Sequence, residues 1–502
     1  MVTIGFDRQC ITPTLPTALS GYAKERIAYE VHDDLYARCL AMEHLGTRYL
    51  LVQCDLIGID DSVLNAVFDK IIDLNVTKDH LTIVATHTHA GPGGTIDTTK
   101  EPFKNLQNIF GYPNPEYLDF LTSQIASAAR NSFSDLMPCE LTIARENIYH
   151  MGAERHDPNL PGDPSLLVFL FKRTDGKTAL LYNYACHPTV TGPENQMITA
   201  DFPYAVERDL DFDFVMFINS NAGDISTRFT RKDCSFEQIE FFKELILSAI
   251  YKALNSPFYQ GVFDNLSMNR YHVSLAAKKV RPVKVEHDSL KQYEDALSNA
   301  IALGKDPLTL RLLSTYVEGS KIAVGLAEAL QNLENIWAHF TLMTLQNISI
   351  AVIPGELFST LGLPLKTGFV IGPKNAFLTI SALSAPLAIT RIFLACMIVP
   401  IPIVYACVGT SSTFSKNLLF AWIVLSCKST QCVTFGNSSA GSLKPMCPLC
   451  PIPRSCKSCP PRAFTTASYL AHSSSASGFS PFGMFKFSKL MLMWLKRLSF
   501  MK

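Results

Sequence analysis

The sequence predicts an α/β fold, with a mixed α+β arrangement as the alternative, in which helices cover a sheet and a site sits at the carboxyl ends of strands. Three observations predict it. Up to about residue 380, apolar β-like runs alternate with segments at helical spacing. Five of those runs end in a polar residue able to bind or catalyse, and in open α/β sheets ligands bind at that end of the strands. Beyond Glu356 the chain contains no Asp or Glu at all, which bounds the segment to which this reading applies.

The elements follow in order. "RYLLVQC" (48 to 54) reads as a strand, with Asp55 after it. Residues 60 to 74 place Val63, Val67, Phe68, Ile71 and Ile72 at helical spacing. "LTIVAT" is the next strand and runs straight into "HTHAGPGG", which holds His87 and His89. Residues 115 to 133 form a helix with Leu118, Leu121, Ile125 and Ala128 on one face. "TALLYNYAC" (178 to 186) is a strand followed by His187, and "FVMFINS" (214 to 220) is followed by "NAGDIS", Asn221 to Ser226. A helix over 235 to 254 opens with a capping box, Ser235 with Gln238 three residues on. Residues 288 to 303 make another, stopped by Gly304. "ISIAVI" (348 to 353) is the last clear strand, and Glu356 follows it in "PGE". There is no internal repeat.

The residue types at these strand ends point to a metal. Imidazole is the commonest metal ligand, and alternate residues of an extended segment share a face. The plain alternative for His87 and His89 is two polar residues at a strand end. Three ligands and an open position make a catalytic zinc site, and His87, His187 and Glu356 would supply them. Zinc would lower the pKa of a water and polarise a carbonyl oxygen. Gly91, Gly93 and Gly94 would let backbone N–H groups approach a substrate, or else form only a tight loop. No Gly-Lys-Ser/Thr follows them, so this is not a phosphate loop. Ser226 reads as a nucleophile, a hydrogen-bond donor or a capping residue.

The motifs "THTHAGPGG", "NYACHPT", "NAGDIS" and "PGELFSTLG" resemble, in order and spacing, those of the neutral, non-lysosomal ceramidases. The early segment "VHDDLYAR … CDLIGID" is similar to the opening of that family's domain. The resemblance spans roughly residues 2 to 380. It implies a zinc-dependent hydrolase of the amide bond of N-acyl lipids such as ceramide. It also implies His87, His187 and Glu356 as zinc ligands and His89 as a residue that contacts or polarises the substrate. Ser226 would be the nucleophile, with metal-activated water an equally workable one, and Arg155 in "MGAERHDP" the active-site arginine. The chain departs from the family in three places. Nothing after residue 380 matches the family's tyrosine ligand or its immunoglobulin-like domain, and "GDIST" lacks the proline that follows the serine. The substrate is therefore expected to be an N-acyl lipid or another amide, with an inactive, truncated homologue as the alternative. A metallo-β-lactamase-like site needs Asp-His after His-x-His, where this chain has Gly91 and Pro92.

Charge divides the chain. Against 44 Asp and Glu, 30 Lys and Arg leave the first 356 residues at −14, while 14 Lys and Arg without any acid put the remainder at +14. At ordinary usage about 18 acids belong in that remainder. It also holds 8 of the 14 cysteines and an uncharged run at 392 to 415. Three readings compete there: a membrane span, a zinc module at Cys447, Cys450, Cys456 and Cys459, and an out-of-frame reading of the gene. The last explains the missing acids, the cysteines and the lost periodicity together. The expected organisation is thus a catalytic domain over 1 to 380 and an aberrant tail over 381 to 502. The N-terminus has no signal-peptide pattern and the early cysteines form no framework, so a reducing, cytoplasmic setting is expected. The acidic first part has no basic run, which argues against nucleic acid. Contact with a membrane surface would come through a lipid substrate.

Overall fold

Strands that read as unbroken apolar runs are buried on both faces, and here each face of the main sheet has its own cover. The computed structural model describes residues 1–368 and 377–382, apart from 101, 105, 156, 158, 161 and 278. The residues 381 to 502 read as an aberrant tail, with the run at 392 to 415 and the four cysteines, lie outside the described residues but for 381 and 382.

The main sheet contains β1 (Thr3–Cys10), β2 (Tyr36–His44), β3 (Thr47–Cys54), β4 (Val76–Ala85), β5 (Met137–Asn147), β6 (Ser165–Arg173), β7 (Thr178–Tyr184) and β8 (Phe214–Asn219). They are ordered β8-β7-β6-β5-β1-β2-β3-β4, and β9 (Tyr259–Val262) also pairs with β5. Only the end pairs, β3 with β4 and β7 with β8, are parallel. A second sheet runs β10 (Leu266–Ala276), β11 (Asn335–Leu345), β12 (Ile348–Pro354) and β13 (Phe377–Ala382), with β12 and β13 parallel. The architecture is α/β with a large mixed sheet.

Residue alternation explains the layers. Along β8, Phe214, Met216 and Ile218 join a core that includes Met268, Met343, Ile350 and Val352 of the second sheet. Val215 and Phe217 point the other way, into a core with Phe202, Phe242 and Ile246. Those belong to α3 (Phe202–Asp209) and α4 (Phe236–Leu254). At the other end of the sheet, Leu50 and Val52 of β3 pack with Val63 and Val67 of α1 (Asp61–Lys70) and with Leu121 and Ile125 of α2 (Pro115–Ser134). One face of the main sheet thus meets the second sheet and the other meets helices.

Caps set the helix starts. Asp60 accepts from Ser62 N at 2.9 Å and Asn114 from Glu116 N at 3.1 Å. Ser235 accepts from Gln238 N at 3.3 Å, but the Gln238 side chain takes Lys232 N instead of Ser235 N, so the expected capping box is only half formed. The helix expected over 288 to 303 is α5 (Val283–Ala302), started earlier after Pro282. The long α6 (Pro307–Leu330) and α7 (Ser359–Gly368) complete the labelled helices. Among the described residues no helix is long and apolar enough to cross a membrane.

The two parallel pairs sit at opposite ends of the strand order, yet their carboxyl ends meet: Asn219 Nδ2 donates to Thr86 O at 3.0 Å. Adjacent strands rotate by about 20–25° each, so the seven steps from β4 to β8 accumulate roughly half a turn. A rotation of that size brings the two ends of the sheet to a common rim.

Asp55 is the exception among the strand-end residues, because its carboxylate is committed to the scaffold. It accepts from Arg38 Nη1 at 2.7 Å, Tyr36 N at 2.9 Å and Gln53 Nε2 at 3.0 Å. Arg38 Nε also donates to Glu207 on α3 at 2.7 Å. Burial alone would lower the Arg38 pKa, but Asp55 and Glu207 raise it. Arg38→Met leaves the fully buried Asp55 carboxylate without its cation, while Glu207 keeps Arg8, and should cost about 3–5 kcal/mol in urea denaturation. A loss below about 1 kcal/mol would show that the network contributes little.

Candidate active site

β4 ends at Ala85, and two residues on the backbone passes through φ +73° at His87. That left-handed region costs a residue other than glycine about 1–3 kcal/mol and persists only where the surroundings enforce it. Here Thr86 N and His87 N donate to Cys54 O and Leu56 O, both at 2.9 Å. The turn aims the ring inward. His87 Nδ1 then lies 2.7 Å from Ile57 O, and His187 Nδ1 lies 2.9 Å from Ile225 O. A carbonyl oxygen can only accept, so each Nδ1 carries the proton and each Nε2 keeps a lone pair.

Those lone pairs converge. His89 Nε2 is 3.2 Å from His87 Nε2, and the Glu356 carboxylate is 3.7 Å from His87 Nε2 and 3.2 Å from His187 Nε2. The three imidazoles, His87, His89 and His187, form a group whose ligand atoms all lie within 4.8 Å of one another and could hold a metal ion. Glu356 stands beside that group, and its buried Oε2 makes no aligned hydrogen bond. His89, expected only to touch the substrate, is therefore placed with the potential ligands.

Burial pushes His87 down to about 4, with Glu356 opposing, and holds His89 well below its usual value. His187 is lowered by burial and by Arg155. Burial alone would raise Glu356, yet His87, His187 and Arg155 hold it down to about 2. Neutral imidazoles facing an ionised carboxylate are the donor set that a divalent cation needs. Arg155 supplies positive charge as well: its Nη1 is 3.1 Å from His187 Nε2 and its Nη2 is 3.5 Å from Glu356 Oε2.

The strand-end motifs hold one another in place. Arg155 N donates to Asp224 O at 2.7 Å, and the Asp224 carboxylate accepts from Ser359 N at 2.7 Å and Ser359 Oγ at 2.9 Å. Gly223 N donates to Leu357 O at 2.9 Å, and a Cβ on Gly223 would sit 2.5 Å from Glu356 O. "NAGD" is thus a grip on the segment that carries Glu356. Ser226 is buried and lines the same cavity of about 90 Å³ as the three histidines, Arg155 and Glu356. Its Oγ accepts from Arg228 N at 3.3 Å, with no imidazole at hydrogen-bond distance among the described residues.

Other expectations need correcting. Gly93 N and Gly94 N donate to Ala18 O and Phe110 O, and a Cβ on either glycine would meet the backbone of residues 110 to 113. These glycines serve close chain packing and leave no N–H for a substrate. The sequence reading also missed Gly21, Tyr22, Arg228, Arg231, Glu318 and Ile322, all of which line the cavity. Glu318 and Ile322 come from α6, whose outline the sequence reading did not contain. The carbonyls of Ile57 and Ile225 carry no sequence signal whatever.

The comparisons with known proteins support a ceramidase-like hydrolase. The model of the neutral/alkaline non-lysosomal ceramidase N-terminal domain matches residues 3–243. That segment, just under half of the chain, is similar to the N-terminal domain of the neutral/alkaline non-lysosomal ceramidases. Two solved structures share the fold. A ceramidase complexed with C2 is 14% identical with a TM-score of 0.56, over 77% of this chain and 69% of that one. The neutral ceramidase from Pseudomonas aeruginosa is 16% identical with a TM-score of 0.58, over 77% of this chain and 68% of that one. Glu356 lies beyond the family match, so its place rests on the geometry above.

Gly21 tests how tightly His89 is held. It has φ +98°, and a Cβ there would lie 2.5 Å from His89 Cγ, whereas Gly46, at φ +77°, has open space around it. Gly46→Ala should cost about 1 kcal/mol for the backbone alone. Gly21→Ala should cost about 2–4 kcal/mol, because the His89 ring must also move. Equal costs in denaturant unfolding would show that the ring yields freely.

Proposed function

We propose that the protein is a zinc-dependent amidohydrolase that cleaves an N-acyl amide, as its match to the ceramidase N-terminal domain suggests. The observation that carries this reading is the cluster of the His87, His89 and His187 imidazoles, with ligand atoms within 4.8 Å of one another, beside the buried Glu356 carboxylate. Zinc held by His87, His187 and Glu356, with His89 beside it, would supply a Lewis acid and a water of lowered pKa.

The chain's own residues do the rest. Ile57 O and Ile225 O fix the tautomers of His87 and His187. Arg155, on the cavity wall beside Glu356 and His187, would stabilise negative charge developing on the carbonyl oxygen. Ser226 Oγ is the nucleophile: it bonds to the carbonyl carbon as the C–N bond breaks, and its proton leaves on the amine. Water then cleaves the acyl ester, so that amide and water become acid and amine. Direct attack by water, with Ser226 as a hydrogen-bond donor, is the competing route, and it is favoured by the lack of an imidazole next to Ser226 Oγ. The early cysteines, all free among the described residues, support a reducing, cytoplasmic setting.

Purified wild type should hold stoichiometric zinc, while His187→Ala and His87→Ala should lose it by elemental analysis. Full retention in both would remove the site, and wild type without zinc or amidase activity would mark an inactive homologue. Ser226→Ala should keep its zinc and lose at least about 100-fold in kcat. An unchanged kcat would leave water as the nucleophile.

Composition supports a further part of the reading, that residues 381 to 502 are a shifted reading frame and not a native domain. Resequencing of the gene across codons 365 to 400 should give an alternative frame with ordinary Asp and Glu usage downstream. Confirmation of the present frame, with a protease-resistant tail, would overturn it.

A further inference from the structure

The cavity wall carries more positive charge than the chemistry above uses. Arg155, Arg228 and Arg231 all line it, against two acids, Glu318 and Glu356. Glu356 is occupied by the histidines and Arg155. Glu318 is occupied by Arg228, with Oε2 3.2 Å from Nη2, and Arg228 Nη1 also donates to Thr315 Oγ1. That leaves Arg231. Its Nη1 donates to a backbone carbonyl, Thr189 O, and its buried Nε has no partner. No carboxylate lies within salt-bridge distance of it among the described residues.

The position of Arg231 is built, not incidental. Arg311 on α6 clamps the loop that carries it, donating to Arg228 O at 3.5 Å, Arg231 O at 3.4 Å and Lys232 O at 3.1 Å. A guanidinium fixed at both backbone and side chain, with an unsatisfied buried N–H, is a fork waiting for a planar anion. With neutral imidazoles, the wall stays net positive before any metal is added, and such a cavity concentrates anions.

We propose that Arg231 recognises a carboxylate on the substrate, so that the preferred amides are N-acyl amino acids and not neutral N-acyl amides. The inference rests on the amidohydrolase reading and adds the substrate class to it. Distance selects the class: Arg231 and the candidate catalytic groups share one cavity of about 90 Å³, so the anion must lie within a few bonds of the scissile amide. The carboxylate of an N-acyl amino acid is two bonds from the amide nitrogen. A fatty chain brings no charge of its own and cannot satisfy the fork.

The test compares N-dodecanoylglycine with N-dodecanoylethanolamine on the zinc-loaded full chain. The expected kcat/KM ratio is about tenfold or more in favour of the glycine conjugate. Arg231→Gln should bring that ratio close to one, and Arg231→Lys should keep part of it, since it retains charge but loses the fork. Thermal melting of each variant separates recognition from folding. A wild type that cleaves the ethanolamide equally well or better overturns this inference and leaves the hydrolase reading standing. A wild type that cleaves neither compound sinks the hydrolase reading, and calorimetric titration with N-dodecanoylglycine then decides recognition separately. Binding that weakens about tenfold in Arg231→Gln supports it, and absent or unaltered binding overturns it.

Discussion

The site depends on one grip, the hold of the turn after β8 on the segment after β12. Glu356 comes from the second sheet and His87 and His187 from the first, so no single element can bring them together. Asp224 bonds Ser359 twice and Gly223 bonds Leu357 once. Glycine is required at 223 because the Glu356 carbonyl passes where a Cβ would be. The same Asp224 carbonyl takes Arg155 N, so the arginine and the carboxylate are registered from one residue. Burial raises the pKa of Asp224, and the two bonds from Ser359 offset that in part. The grip therefore carries a desolvation cost that makes sense only if the position of Glu356 matters.

Burial does different work on the two sides of the cavity. Around the histidines it removes protons, which prepares Nε2 lone pairs, while His87, His187 and Arg155 hold Glu356 ionised against its own burial. Around Arg228 it lowers the guanidinium's pKa, and Glu318 is the main opposing partner. A buried charge without a partner costs several kcal/mol, so the chain provides acids where it can. It provides none for Arg231. The contrast between a compensated and an uncompensated arginine, three residues apart on one loop, is what the proposed recognition role of Arg231 rests on.

The legibility of this protein in its sequence follows the physics of each element. Strands buried on both faces, such as "FVMFINS", announce themselves by apolar run, and their polar ends marked His87, His187, Ser226 and Glu356, all of which line one cavity. The same rule misplaced Asp55, because a carboxylate at a strand end looks alike whether it faces a cavity or pairs with Arg38 on the next strand. Gly93 and Gly94 misled for a related reason, since close approach of backbone to backbone and of backbone to ligand both require glycine. Helix α6 went unnoticed because its buried residues are mostly small, among them Ser320, Gly325, Ala327 and Ala329, and give little apolar periodicity. The carbonyls that set the histidine tautomers have no sequence signature, since every residue has one.

The two long helices α5 and α6 pack unequally. α5 buries only Glu286 and Ala300, against nine side chains in α2. Few buried side chains place α5 at the low end of local stability, whereas α6 buries eight residues and supplies Glu318 and Ile322 to the wall. What fastens it there is polar: Arg311 on three carbonyls, and Arg228 on Thr315 and Glu318. The candidate metal ligands stand on strand ends of the two packed sheets, where small displacements are costly. Arg231, the proposed recognition residue, stands on a loop braced by α6 through Arg311. The arginines of the 226 to 232 loop thus join the strand ends that carry the candidate ligands to the helix that completes the cavity wall.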